Sequence, residues 1–227
     1  MEFNFLTSIL ALGFGLGLLH ALDADHIMAI SSMAAVNTGD RKPWSVSVTL
    51  KFCMRWAIGH GSILLALTAL FIFARFELPE FVPQLAEKII GMLLIILGAW
   101  IIISLRQSRL RLETHTHEQI THAHLVPTGK IHQSHTPVLV GVTHGFAGSA
   151  PILAIIPALE SDNAWVGLGY VALFSLGVLT AMLVFGVFLV RLQNWIAGWG
   201  QGLYLISRMV VAFASITFGG YYMFSSG

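Results

Sequence analysis

His20, Asp23, Asp25 and His26 fall within seven residues, in the run His20-Ala-Leu-Asp23-Ala-Asp25-His26. Imidazole nitrogens beside carboxylate oxygens suit Ni, Co, Zn or Cu rather than Mg or Ca. On a regular helix at about 100° per residue, His20, Asp23 and His26 share an arc of roughly 120°, and Asp25 points about 100° away from His26. One straight helix therefore offers a His–Asp–His face. Bringing Asp25 to the same place requires local unwinding, which also frees backbone groups. The surrounding residues are apolar, and ionisable groups in such a setting are costly unless they face a partner, a cavity or a transport path.

Two further histidines stand in apolar stretches beside small residues. His60 sits between Gly59 and Gly61, and His144 opens His144-Gly-Phe-Ala-Gly-Ser149. Small neighbours permit close helix approach, so these side chains can reach a shared cavity. The candidate metal ligands are thus His20, Asp23, Asp25, His26, His60 and His144. A second set, His115, His117, His122, His124, His132 and His135, places six histidines within 21 residues of a polar segment. Such tracts bind metals weakly and flexibly. One cysteine, Cys53, excludes a disulfide framework and any multi-cysteine zinc or iron–sulfur site. No Walker A, Ser–His–Asp order, Cys-x-x-Cys or His-Glu-x-x-His pattern occurs. No catalytic residue and no prosthetic group is expected, and the chain does not read as an enzyme.

The elements that must carry these residues are membrane helices. Hydrophobic residues make up 56% of the 227 and charged ones only 10%, with a mean hydropathy of +0.79. A soluble domain needs about 25% charged residues to cover its surface. Net charge is +1, which argues against disorder and against a nucleic-acid partner. Six segments approach the roughly 20 apolar residues that cross a bilayer. They are Phe5–Val36, Trp56–Ala74, Lys88–Leu105, Pro137–Leu159, Trp165–Val190 and Gly202–Phe224. The first is long and polar in its second half, so it should bend, break or tilt. No basic residue precedes it, unlike a cleaved signal peptide.

Basic residues in the loops predict orientation. Arg41, Lys42, Lys51, Arg55, Arg106, Arg109, Arg111, Lys130 and Arg191 fall on one side, against Arg75 and Lys88 on the other. Both termini should be outside and the histidine-rich segment cytoplasmic, in a cell inner membrane. Arg208 lies within the last span, either snorkelling to the interface or pairing with Asp23 or Asp25.

The order of short motifs repeats. Gly17-Leu-Leu-His20 echoes Gly141-Val-Thr-His144, Leu67-Thr-Ala echoes Leu179-Thr-Ala, and Leu97-Gly-Ala-Trp100 echoes Phe218-Gly-Gly-Tyr221. Three spans per half is odd, so the halves must have opposite orientations, the inverted-repeat plan of many secondary transporters. The expected fold is all-α and polytopic, a 3+3 arrangement. Residues 1–106 form the first half with the metal motif, 107–136 the histidine-rich loop and 137–227 the second half.

At His20-Ala-Leu-Asp-Ala-Asp-His26-Ile the chain resembles the nickel/cobalt transporter family, whose signature is a His, four residues, then Asp-His in an early transmembrane helix. Gly59-His60 resembles that family's second motif. The stretch from His144 to Ser149 is similar to shorter members, the UreH-type urease accessory proteins and six-span nickel/cobalt exporters. The resemblance implies that His20, Asp25, His26 and His60 handle the metal. The chain departs from the longer permeases in having room for six spans rather than eight, and in carrying Ser31-Ser-Met-Ala-Ala-Val after the first motif.

The expected function is transport of a divalent transition-metal ion, Ni²⁺ or Co²⁺ before others, by alternating access, with His20, His26 and His60 supplying nitrogen and Asp23 or Asp25 supplying negative charge and orienting an imidazole. The alternative is a membrane accessory protein that hands metal to a urease or hydrogenase without a pathway of its own. Expected partners are the lipid bilayer and the ion. Self-association, direction and coupling ion are left open.

Overall fold

The computed structural model describes residues 2–38, 45–74, 81–108, 112–117, 120–125, 136–146, 151–161 and 163–225. Arg41, Lys42, Arg75, Arg109, Arg111, Lys130, His132, His135 and the 147–150 stretch lie outside them. Eight helices and one hairpin follow in the order α1 (Glu2–His20), α2 (Ala24–Thr38), α3 (Val46–Ala74), α4 (Phe81–Ser108), β1 (Leu112–His117), β2 (Ile120–Leu125), α5 (Thr136–Phe146), α6 (Ile156–Leu159), α7 (Ala164–Gly198) and α8 (Gln201–Ser225). A π-helical turn, Pro151–Ile155, leads into α6. The protein is an all-helical polytopic membrane protein apart from that hairpin, which occupies part of the segment expected to be a histidine-rich loop.

Four helices are long and apolar enough to cross a membrane: α3, Glu87–Arg106 of α4, α7, and Gln201–Phe224 of α8. The α1–α2 pair, bent by 56° at its break, makes a fifth if it is counted as one crossing. The expected fourth segment, 137–159, is represented among the described residues only by its two ends, α5 and the turn with α6. The helices also outrun their expected bounds. α3 begins at Val46, so Lys51 and Arg55 are exposed on its first turns and not in a loop, and Arg191 lies within α7. Hydropathy marks hydrocarbon depth, whereas a helix continues into the interface where charged side chains meet water.

The outer faces carry Leu12, Ile58, Met92, Val184 and Phe213, all exposed, while Ser32, Thr68, Gln193, Arg208 and Ser215 are buried. This distribution suits hydrocarbon surroundings, where polar groups must find partners inside. Thr68 donates to the Leu64 carbonyl one turn back at 2.8 Å, and Ser215 donates across helices to the Leu94 carbonyl at 2.8 Å.

The main helix pairs are α1 with α7, α3 with α5, α3 with α7, and α4 with α8. In the α1–α7, α3–α5, α3–α7 and α4–α8 pairs a helix before the hairpin packs on one after it. Glycine sets the first two crossings. A Cβ at Gly17 would lie 2.0 Å from the Phe174 carbonyl oxygen, and one at Gly141 would lie 2.0 Å from that of Trp56. Only a residue without a side chain allows the backbones so close.

Arg208 is 1% exposed and its Nη2 donates to the Ala35 carbonyl at 2.8 Å. It binds the C-terminal end of α2, where the last carbonyls of a helix have no partner in the helix itself. This corrects the expectation of snorkelling: the guanidinium is committed to a buried backbone end instead of reaching the interface.

Candidate metal centre

The expected break in the first span falls between His20 and Ala24. Asp23 N–H donates to the His20 carbonyl and Leu22 N–H to the Leu19 carbonyl, each at 3.0 Å, so α1 closes in a tight turn. α2 restarts when Ile27 N–H bonds the Asp23 carbonyl at 3.1 Å. Beyond the bend, Asp25 lies against His26. His60 enters from α3, with fourteen residues of the helix on either side of it. His144 enters from the last turn of α5, held close by the Gly141 crossing.

His20, His26 and His60 are buried and each offers a ligand nitrogen, all three within 4.8 Å of one another. The three residues could hold a metal ion. Ring centroids separate by 4.5 Å for His20–His26, 5.5 Å for His20–His60 and 5.3 Å for His26–His60. His144 stands just outside this triad, 5.5 Å from the ring of His26.

Each carboxylate lies within hydrogen-bond distance of an imidazole nitrogen. Asp23 Oδ2 lies 3.0 Å from Nδ1 of His20, and Asp25 Oδ1 lies 2.8 Å from Nδ1 of His26. Asp25 Oδ1 also accepts the backbone amide of His26 at 2.9 Å. Nδ1 of His144 donates to the Val140 carbonyl at 2.8 Å. An ionised carboxylate or a carbonyl only accepts, so each of these Nδ1 atoms carries the hydrogen. The lone pair then resides on Nε2, which is how metal-binding imidazoles are usually held by their outer partners. Among the described residues, Nε2 of His26, both ring nitrogens of His60 and Nε2 of His144 have no hydrogen-bond partner. Buried nitrogens without partners are costly, and a cation in their midst would satisfy them.

The two acids differ in access. The side chain of Asp23 is 43% exposed and that of Asp25 only 4%. Asp23 thus marks the more open edge of the site, and Asp25 its closed interior.

Two aromatic residues that the motif reading does not single out wall the site. Trp56, fully buried, stacks on His60 and meets the rings of His26 at 5.0 Å and His144 at 5.6 Å. Phe174 lies 5.4 Å from His20. The signal for Trp56 is its place one helical turn before His60. It is obscured by reading Trp56 as a span boundary.

Comparison with known proteins agrees with the membrane architecture. Over 226 residues the chain is 30% identical to the urease accessory protein UreH of Bacillus sp. (strain TB-90), covering 98% of this chain and 93% of that protein. No solved structure matches it. The relation to UreH accords with the resemblance to the shorter UreH-type proteins. The family model that matches, however, bears a different name from the nickel/cobalt transporters that the His-Asp motif resembles. It spans residues 28–221, and by it the chain belongs to the cytochrome c biogenesis protein transmembrane region family.

Proposed function

We propose that this protein is a membrane carrier of a divalent transition-metal ion, Ni²⁺ or Co²⁺, with His20, His26 and His60 as its nitrogen donors. The observation that carries the proposal is three buried imidazoles with ligand nitrogens within 4.8 Å, one of them at the middle of a membrane-length helix. Asp23 and Asp25 fix the tautomers of His20 and His26. Their two negative charges also offset a dication, lowering the cost of holding it away from water. His144 extends the run of imidazoles beyond His26 and gives the ion a next partner.

The reading includes alternating access. The α1–α7 and α3–α5 crossings each pair a helix before the hairpin with one after it, and the histidines come from both halves. Rocking of these pairs would open the site first beside Asp23 and then on the far side. The excess of basic residues around the hairpin segment favours a cytoplasmic placement for it in an inner membrane. With Cys53 as the one cysteine, the chain has no second thiol for an intramolecular disulfide, so dithiol redox chemistry is set aside.

The Bacillus relative is named a urease accessory protein, which favours a second reading, a membrane accessory protein that holds metal for urease maturation without a pathway of its own. Purified protein in sealed liposomes separates the two. A carrier admits Ni²⁺ to an internal fluorescent chelator faster than protein-free vesicles do. An accessory protein binds Ni²⁺ and leaves the entry rate at the protein-free level.

A further inference from the structure

The hairpin lies apart in sequence from every residue of the intramembrane site. β1 and β2 pair antiparallel with Leu112 opposite Leu125, Glu113 opposite His124, His115 opposite His122 and His117 opposite Ile120. Residues two apart on a strand share a face, and directly paired residues share it too. Glu113, His115 and His117 therefore occupy the same face as His122 and His124. The other face takes Leu112, Thr114, Thr116, Thr121, Ala123 and Leu125. All four histidines of the hairpin and the acid fall on one side, with a His–His pair at its centre.

We propose that this juxtaposition, His115 opposite His122 and flanked by the Glu113–His124 pair and His117, makes the hairpin a second binding site for a divalent transition-metal ion. Cβ atoms of directly paired residues lie about 4.5–5.5 Å apart, within the span that one ion bridges with two imidazoles. An imidazole-rich set with one carboxylate selects the Ni, Cu and Zn class over Mg and Ca. The strand register distinguishes this from a loose histidine tract, whose affinity depends on composition alone. The proposal does not rest on the transport reading, since none of its residues belongs to the intramembrane group.

The test is Ni²⁺ titration of the full chain in detergent by calorimetry, on the wild type and in a His26→Ala background that weakens the intramembrane group. Exchanging two neighbours, Thr114→His with His115→Thr, keeps the composition and moves one imidazole to the other face. The hairpin class of sites should weaken about tenfold or more, as it should for His115→Ala with His122→Ala. Adding His122→Ala with Ala123→His to the first exchange restores a facing pair on the opposite side and should recover part of the loss. Nitrogen hyperfine structure from bound Cu²⁺ supplies a second readout, with fewer coupled imidazoles in the first exchange than in the wild type. Unchanged affinity and unchanged hyperfine structure in the exchange variant would overturn the proposal, as would a double alanine variant that binds like the wild type.

Discussion

The indole of Trp56 lies nearly parallel to the imidazole of His60, with ring centroids 5.2 Å apart and planes 12° from coplanar. The two residues are one turn apart on α3, so the helix that delivers the imidazole also roofs it. Trp56 further contacts His26 and His144, so it touches histidines of α2, α3 and α5. Its ring is fully buried against them, and the apolar shell of a metal site governs solvent access and local dielectric.

Trp56 should therefore report occupancy. Ni²⁺ or Co²⁺ at the triad is expected to quench a distinct part of the tryptophan emission, and Trp56→Phe should abolish that component. The same variant should keep metal affinity within about threefold, because an aromatic face still covers His60. Trp56→Ala should lower stability by about 3–5 kcal/mol by leaving a cavity, read as a fall in the melting temperature in detergent.

The two carboxylates should contribute unequally. Asp25→Asn keeps the shape but replaces the acceptor that fixes His26, and Ni²⁺ affinity should fall roughly 10- to 100-fold. Asp23→Asn alters an acid already half in water, so its effect should be smaller, within about the lower end of that range. Equilibrium dialysis against Ni²⁺ ranks the two variants.

Helix crossings predict where an added methyl is tolerated. Gly17→Ala and Gly141→Ala place a Cβ against the backbone carbonyls of Phe174 and Trp56. Each should cost about 1–3 kcal/mol or more, because backbone cannot yield as a side chain does. Gly15→Ala meets nothing within 4 Å and should be neutral or stabilising by up to about 1 kcal/mol. Thermal melting of the three variants in one detergent makes the comparison.

Arg208→Met should destabilise the fold by about 1–3 kcal/mol or more, because the buried Ala35 carbonyl loses a charged donor. Arg208→Lys should recover only part of this, since an ammonium on a shorter, rounder head does not reproduce the planar fork. Folded yield after size exclusion reads both.

Much of this site was legible in the residues themselves. Two imidazoles and two acids in an apolar run announce a cation, and the helical arc of His20, Asp23 and His26 leaves Asp25 outside unless the helix breaks. The break is there. The residue types could not show the tight turn that sets Asp23 on Nδ1 of His20, nor that Asp25 would meet Nδ1 of its neighbour His26. Hydropathy could not reveal Trp56, because a tryptophan at a span edge and one inside a site look alike in composition. The middle pair of repeated motifs does not match the packing. Packing sets Gly59 against Val138 and Gly177 against Phe14, which aligns Trp56 with Phe174, whereas the Leu67 and Leu179 motifs suggest a register six residues away. Helix contacts, which short motifs do not encode, decide that register.

The central claim is that His20, His26 and His60 together hold one divalent ion. It is tested most directly by X-ray absorption on Ni²⁺-loaded protein in which His115, His117, His122 and His124 are alanine, so that the hairpin adds no signal. The account predicts about three imidazole nitrogens at roughly 2.0–2.1 Å, the distance typical of imidazole on a divalent transition metal, and loss of that pattern in His26→Ala. A spectrum dominated by water oxygen, or one that His26→Ala leaves unchanged, would contradict it.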